Sequence, residues 1–336
     1  MEVKITRAEI AKMAGVSEST VSRALNDSPQ ISEVVKDRVR DIADRLGYIP
    51  NRQAALLARN KTYRIGLVVR TYKSFSPFSR AYFPRLLDGT LMAAEERGYS
   101  ITIVLDKAGD NYKDLSLLVR SKEVDGLLFS VTPLKDQRLL DLNSRGVPFI
   151  LINNYQKGFY CANCSPERGM RDAFSHVIGL GHQRIGYIHG DLDYWDGTSR
   201  LRIFKQLIKE HGLKAAIESG NFSKTSGYNA AKRLLQRRNP PTVILCASDR
   251  CALGVMSYCQ EQQIEIPKDI SLIGFDNLGP ARDTHPGLTT IHNPVTQLGA
   301  EATAMLIDRL ENREVRMDHY IDSGFIIRES TGRPAE

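Results

Sequence analysis

Through the first fifty residues, apolar positions recur three and four apart, the period of a helix face, in three separate stretches. Thr6 can accept from the Glu9 amide while Glu9 reaches back, a capping box, and Ile10, Ala11 and Ala14 follow as an apolar stripe. Gly15 stops this helix, because glycine turns the chain at positive φ without steric cost. Ser17 then offers a new N-cap, so a second helix is predicted from Glu18. Val21 and Leu25 face inward on it, leaving Glu18, Ser19, Ser22 and Arg23 outward. A third helix is predicted over 32–46, with Val35, Val39, Ile42, Ala43 and Leu46 buried and Gly47 as its stop. The spacing matches a helix-turn-helix headpiece whose second helix enters a DNA groove. A plain helical hairpin with a solvated polar face has the same pattern.

From Arg64 onward the pattern changes to short apolar runs at 65–69, 101–105, 126–129 and 149–152, separated by amphipathic segments at 86–97 and 136–145. The rhythm restarts after about residue 160, with helices over 166–180, 200–211 and 225–237 and strands at 184–188, 242–246 and 271–275. This is an α/β pattern of doubly wound parallel sheets. Two similar halves predict a two-lobed body of the periplasmic-binding-protein type, with a ligand cleft beyond the carboxyl ends of the strands. A single large enzyme domain is the competing architecture.

A chain of 336 residues with 42% hydrophobic content can bury more than one core. The absence of a bilayer-length apolar run or signal-like start predicts a soluble, cytoplasmic protein with no membrane partner. The net charge is +7, and its distribution matters more than its size. Eight basic residues (Arg52, Arg59, Lys61, Arg64, Arg70, Lys73, Arg80, Arg85) and no acid lie between Leu46 and Leu87, and without them the chain would carry −1. Phosphate contacts would use this excess. Five cysteines, an odd number, suit reduced thiols. Cys161 and Cys164 have the spacing of a zinc half-site, but no second CxxC exists and Cys246, Cys251 and Cys259 lie in apolar patterns, so no metal and no cofactor is assigned. There is no GxGxxG after a strand, P-loop or GxSxG, and His176, His182 and His189 are scattered, so no enzyme is expected. A purely architectural DNA binder is a further alternative, but it does not need a cleft.

Several segments keep matching order and spacing over nearly the whole chain: the headpiece, residues 48–58 (YIPNRQAALLA), 180–186 (LGHQRIG), 222–228 (FSKTSGY), 247–254 (ASDRCALG), 273–276 (IGFD) and 288–291 (LTTI). Together they resemble the lactose/galactose repressor family of bacterial transcription regulators. The resemblance implies a sequence-specific, ligand-controlled regulator, expected to be a repressor, that binds a pseudo-palindromic double-stranded operator as a homodimer, with pairing of dimers left open. The implied domains are a headpiece over 1–49, a hinge helix and linker over 50–61, a first lobe over 62–160 and 292–321, and a second lobe over 161–291 and 322–330. Arg23 is the expected base reader, flanked by Glu18 and Ser19. Thr6, Ser17, Thr20, Ser22, Asn26, Ser32, Tyr48 and Asn51 match phosphate-positioning residues, and Ala54 and Leu57 match hinge residues inserted into the minor groove.

By the same resemblance, Arg200, Asp276 and Phe222 match effector contacts. Their chemistry suits a small polyhydroxylated ligand: Arg200 donates to neighbouring oxygens, Asp276 accepts from vicinal hydroxyls, and Phe222 covers an apolar face. A sugar or sugar derivative is expected, with a purine stacked on Phe222 as its rival. Asn153 and Ser248 stand where the family commonly has a carboxylate and an asparagine, and Asn153 is expected to contribute hydroxyl recognition. Residues 74–79 lengthen the loop before Tyr82 and Phe83. Aromatic walls are expected at Phe75, Tyr82 or Phe83, and Phe129, together with Ser130.

Overall fold

The computed structural model describes residues 5–48, 61–71, 77–107 and 114–335. They fall into two compact units, divided between Thr62 and Tyr63. Among the described residues no helix is long and apolar enough to cross a membrane.

The first unit holds α1 (Arg7–Ala14), α2 (Glu18–Leu25) and α3 (Glu33–Arg45). The capping box opens α1: Thr6 N donates to Glu9 Oε2 at 2.6 Å, and Glu9 N donates to Thr6 Oγ1 at 3.4 Å. Gly15, at φ +64°, ends α1, and Ser17 Oγ accepts from Thr20 N at 3.1 Å to start α2. Ile10, Ala11, Ala14, Val21, Ala24, Val39 and Ala43 form the core, with Leu25, Val35, Ile42, Leu46 and Tyr48 at its margin. The inward face of α2 thus centres on Val21 and Ala24 rather than on Val21 and Leu25. The reason is that α2 packs on both α1 and α3, so its inward arc is wider than one i,i+4 line. Lys36 is also buried, its ammonium 3.0 Å from Asp27 and 2.7 Å from Glu33.

The second unit is built on two six-stranded sheets. One contains β1 (Arg64–Thr71), β2 (Ser100–Lys107), β3 (Gly126–Ser130), β4 (Phe149–Ile152), β5 (Cys161–Ser165) and β11 (Asp318–Asp322), in the order β11-β5-β4-β3-β1-β2. The other contains β6 (Arg184–Ile188), β7 (Lys214–Glu218), β8 (Val243–Cys246), β9 (Ser271–Asp276), β10 (Thr289–His292) and β12 (Gly324–Ile326), in the order β12-β10-β9-β8-β6-β7. All neighbours are parallel except β10 with β12. The two lobes therefore repeat one winding. Helices Tyr82–Glu96 and Val295–Leu310 cover one face of the first sheet, and Leu115–Arg120 and Arg138–Ser144 the other. In the second lobe, Glu167–Gly179 and Trp195–Glu210 lie opposite Lys224–Leu235 and Asp249–Glu261.

The chain passes between lobes three times, after Ser165, after His292 and after Asp322. This corrects the expected boundary at residue 161, because Cys161–Ser165 pairs with β4 and β11 inside the first sheet. Residue 322 likewise ends a strand of the first sheet, and His292 ends one of the second. Cys161 and Cys164, three apart along β5, point to opposite faces of the sheet and cannot converge on one ion. All five cysteines are buried free thiols.

Candidate functional site

Because the strands of both sheets are parallel apart from the edge strand β12, their carboxyl ends and the N-termini of the following helices meet at one cleft, of about 650 Å³. The first lobe contributes Ser79 to Phe83 and Val131. The second contributes the starts of three helices, around Tyr194 to Asp196, Asn221 to Ser223 and Ser248 to Arg250, together with Asp191, Arg200, Leu253, Asp276 and Leu278.

Arg200, only 3% exposed, organises the second-lobe wall. Its Nη1 donates to Ala247 O, and its Nη2 reaches Asp196 Oδ1 at 3.3 Å and Asp276 Oδ1 at 3.4 Å. Its guanidinium lies 3.6 Å from the centre of the Phe275 ring and 5.9 Å from that of Phe222. Burial works against its charge, but Asp196 and Asp276 outweigh that and hold its pKa above the ordinary value. The same burial raises the carboxyls. Asp276 is pushed up to about 7 despite Arg200, and Asp196 is raised too. Asp249 is pushed up to about 6 by burial, against hydrogen bonds donated by Thr290 Oγ1 at 2.5 Å and Leu278 N at 3.1 Å.

Backbone strain gathers here: Asn153 (φ +48°), Phe222 (φ +63°) and Asp276 (φ +120°) all adopt positive φ, uncommon outside glycine. Phe222 sits against Gly190, where a Cβ would overlap the tip of its ring. Ser248 caps the helix Asp249–Glu261, accepting from Cys251 N at 3.2 Å.

Of the anticipated effector residues, Tyr82, Phe83, Arg200, Phe222, Ser248 and Asp276 line this cleft. Phe129 does not, being a core ring packed edge-on against Phe149 at 5.6 Å. Ser130 is buried at the end of β3 and is not in the lining. Asn153 also lies behind the lining, with its amide spent on Cys164 and Tyr82. Phe75 falls outside the described residues. Asp196 and Asp249 were not anticipated. Their signal was position, one four residues before Arg200 and the other just after a serine cap.

On the headpiece, Glu18, Ser19 and Arg23 are exposed along one side of α2, while Thr20 and Ser22 are half-buried. Some of the expected phosphate-positioning groups serve local structure: Ser17 Oγ lies 2.8 Å from both Ser19 Oγ and Thr20 Oγ1, and Asn26 Nδ2 donates to Ser22 O at 2.7 Å. Thr6 and Ser32 are exposed N-caps, and Tyr48 is half-buried. Asn51, Ala54 and Leu57, with Arg52, Arg59 and Lys73, lie outside the described residues.

Residues 6–51 match the family described as bacterial regulatory proteins, lacI family, and 174–331 match the periplasmic binding protein-like domain. The HTH-type transcriptional repressor PurR of Klebsiella pneumoniae is 31% identical over 316 residues, 91% of this chain and 90% of that protein. The chain belongs to the lacI family. It is accordingly a DNA-binding transcription regulator with a ligand-binding body, and not an enzyme. Another lacI-type relative, the probable HTH-type transcriptional repressor ExuR of Bacillus subtilis, is 28% identical over 98% of this chain and 99% of its own. Among solved structures, the Lac repressor dimer bound to operator and the anti-inducer ONPF superposes with a TM-score of 0.84 at 25% identity, covering 98% of this chain and 99% of that one.

Proposed function

We propose that this lacI-family chain is a repressor that binds its operator as a homodimer and is controlled by a small polyhydroxylated effector, a sugar or sugar derivative, held in the cleft. The buried Arg200, flanked by Asp196 and Asp276 on the cleft wall, carries this reading. A carboxylate accepting from neighbouring hydroxyls, a guanidinium donating to ligand oxygens and the Phe222 ring against a C–H face together suit a polyol. A related regulator, CelR, has been solved as a cellobiose complex and superposes with a TM-score of 0.74 at 25% identity, covering 97% of this chain and 99% of that one. The half-buried Phe222 ring favours one rival, a stacked purine.

Dimerisation is supported by an apolar margin on the first lobe: β2, the outermost strand, exposes Ile103 and Leu105, and the helix packed on it exposes Leu91 and Met92. Two headpieces reading half-sites of a pseudo-palindrome supply the specificity that one small unit lacks. Arg23 reads a base, residues 50–61 act as the hinge, Ala54 and Leu57 enter the minor groove, and the protein works in the cytoplasm. The effector acts through its differential affinity for two lobe arrangements.

A thermal-shift screen of sugars, sugar phosphates and purines tests the assignment. A polyol hit that disappears in Asp276→Ala and weakens in Phe222→Ala is expected. A response confined to purines, or one indifferent to both substitutions, overturns it.

A further inference from the structure

Asn153 follows β4 and is 3% exposed, with both ends of its amide engaged. Its Oδ1 accepts from the backbone N of Cys164 at 2.9 Å. A backbone N–H can only donate, so this contact decides which end of the amide is oxygen. Nδ2 therefore donates to the Tyr82 hydroxyl oxygen, at 3.0 Å. The phenol proton must then point elsewhere, and among the described residues no acceptor lies within hydrogen-bond distance of it. Tyr82 lines the cleft, and the carboxylates that act on its hydroxyl, Asp196 and Asp276, belong to the opposite lobe.

We infer that Asn153 is a positioning residue that sets the polarity of Tyr82, occupying the phenol oxygen so that its proton is offered into the cleft to an acceptor oxygen of the ligand. The inference rests on the cleft being the effector site. It narrows the ligand to one that presents a hydroxyl, ether or carboxylate oxygen toward the first lobe, between Tyr82 and the Asp196, Arg200 and Asp276 group. An aspartate at 153 would invert the arrangement, because a carboxylate can only accept. It would draw the phenol proton away from the cleft and place another negative charge near Asp196 and Asp276.

Two measurements on the full chain test this. In Raman spectra, the intensity ratio of the tyrosine ring doublet rises when the hydroxyl accepts a hydrogen bond and falls when it donates one. Subtracting Tyr82→Phe from the native protein isolates Tyr82, and subtracting Asn153→Asp/Tyr82→Phe from Asn153→Asp does so for the variant. The ratio is expected to fall on going to Asn153→Asp, and an unchanged or higher ratio overturns the inference. Should that variant not fold by circular dichroism, Asn153→Ala, which removes the donor without adding charge, gives the same comparison with the same expected fall.

Calorimetry with D-galactose, D-glucuronate, D-glucose 6-phosphate and adenine supplies the second measurement. A sugar that binds should lose about tenfold in affinity in Tyr82→Phe and in Asn153→Asp, with the double variant no weaker than either single one. Multiplying losses would make the two residues independent and overturn the coupling. If none of the four compounds binds the native protein, the sugar assignment fails while the Raman comparison still decides the role of Asn153.

Discussion

Side-chain contacts that shape the reading face of α2 join residues two to four positions apart, whereas the cleft adds to the one helical pair Asp196–Arg200 polar pairs that join residues 41, 71 and 76 apart. The headpiece presents Arg23 because caps and a glycine stop orient a helix locally, on a core of small and branched side chains. The cleft brings Asp276 and Tyr82 from distant parts of the chain to the helical pair Asp196 and Arg200, and shields them from most of the solvent. The headpiece face should therefore tolerate substitution with small, additive losses. The cleft should respond to loss of one member as a unit.

The largest effect sharpening this contrast is expected from Arg200→Ala, which strands Asp196 and Asp276 in a buried site. A loss of about 3–5 kcal/mol in denaturant unfolding is expected, smaller in acid where the carboxyls protonate. A loss below about 1 kcal/mol, the range of exposed ion pairs, would show that the cleft behaves like a surface cluster.

Titration comes next. The Asp276 carboxyl is raised from 3.8 to about 7 and that of Asp249 to about 6, both chiefly by burial. A folded pKa above the unfolded one means the stabilisation is full below the unfolded value and is lost as pH rises through the folded one. Stability of the body should therefore fall from about pH 4 to about pH 8, and Asp276→Asn should flatten the slope. Asp27 in the headpiece is shifted the other way, mainly by the Lys36 hydrogen bond, so its contribution is present above the unfolded value and declines only as pH drops into the acid range. Denaturant midpoints across this range check both, and a slope unchanged in Asp276→Asn would break the contrast.

Arg23→Ala should cost roughly 1–3 kcal/mol of operator affinity per half-site and relax preference at one base position. Equal losses on operator and random DNA would move Arg23 to a phosphate. The smallest effect is Ser17→Ala, worth about 1 kcal/mol through the lost α2 cap. Hydrogen exchange on the full chain should show faster exchange in α2 with the body unchanged, and protection lost in the body as well would make the headpiece less local than its contacts imply.

Much of the fold was legible because its signals are local. The capping box, Gly15 and Ser17 announce α1 and α2, and apolar runs mark β3, β4 and β6 at nearly their observed lengths. Other elements were not anticipated, among them β5, β7, β10, β11, β12 and the helices Leu115–Arg120, Asp249–Glu261 and Val295–Leu310. The edge strand β7, KAAIE, is only half-buried and rich in alanine, so it carries little strand signal. The helix expected from Arg200 begins at Trp195 and runs through Gly197, a residue type that in sequence reads as a turn. Its actual role is close packing, since a Cβ there would overlap Asp191 O. That earlier start places Asp196 one turn before Arg200 and makes their pairing possible.

Residue types and spacing by themselves determined the three headpiece helices, the parallel α/β repeat and the outward position of Arg23, since these depend on backbone propensity and on periodic burial within a few turns of chain. Tertiary structure alone decided that Arg200 meets Asp276, that β5 crosses no lobe boundary, that Phe129 is core and that Asn153 stands behind Tyr82 instead of facing the cleft. Those outcomes depend on which strand ends converge and on which polar groups burial leaves in need of partners, and neither is written in any local stretch of sequence.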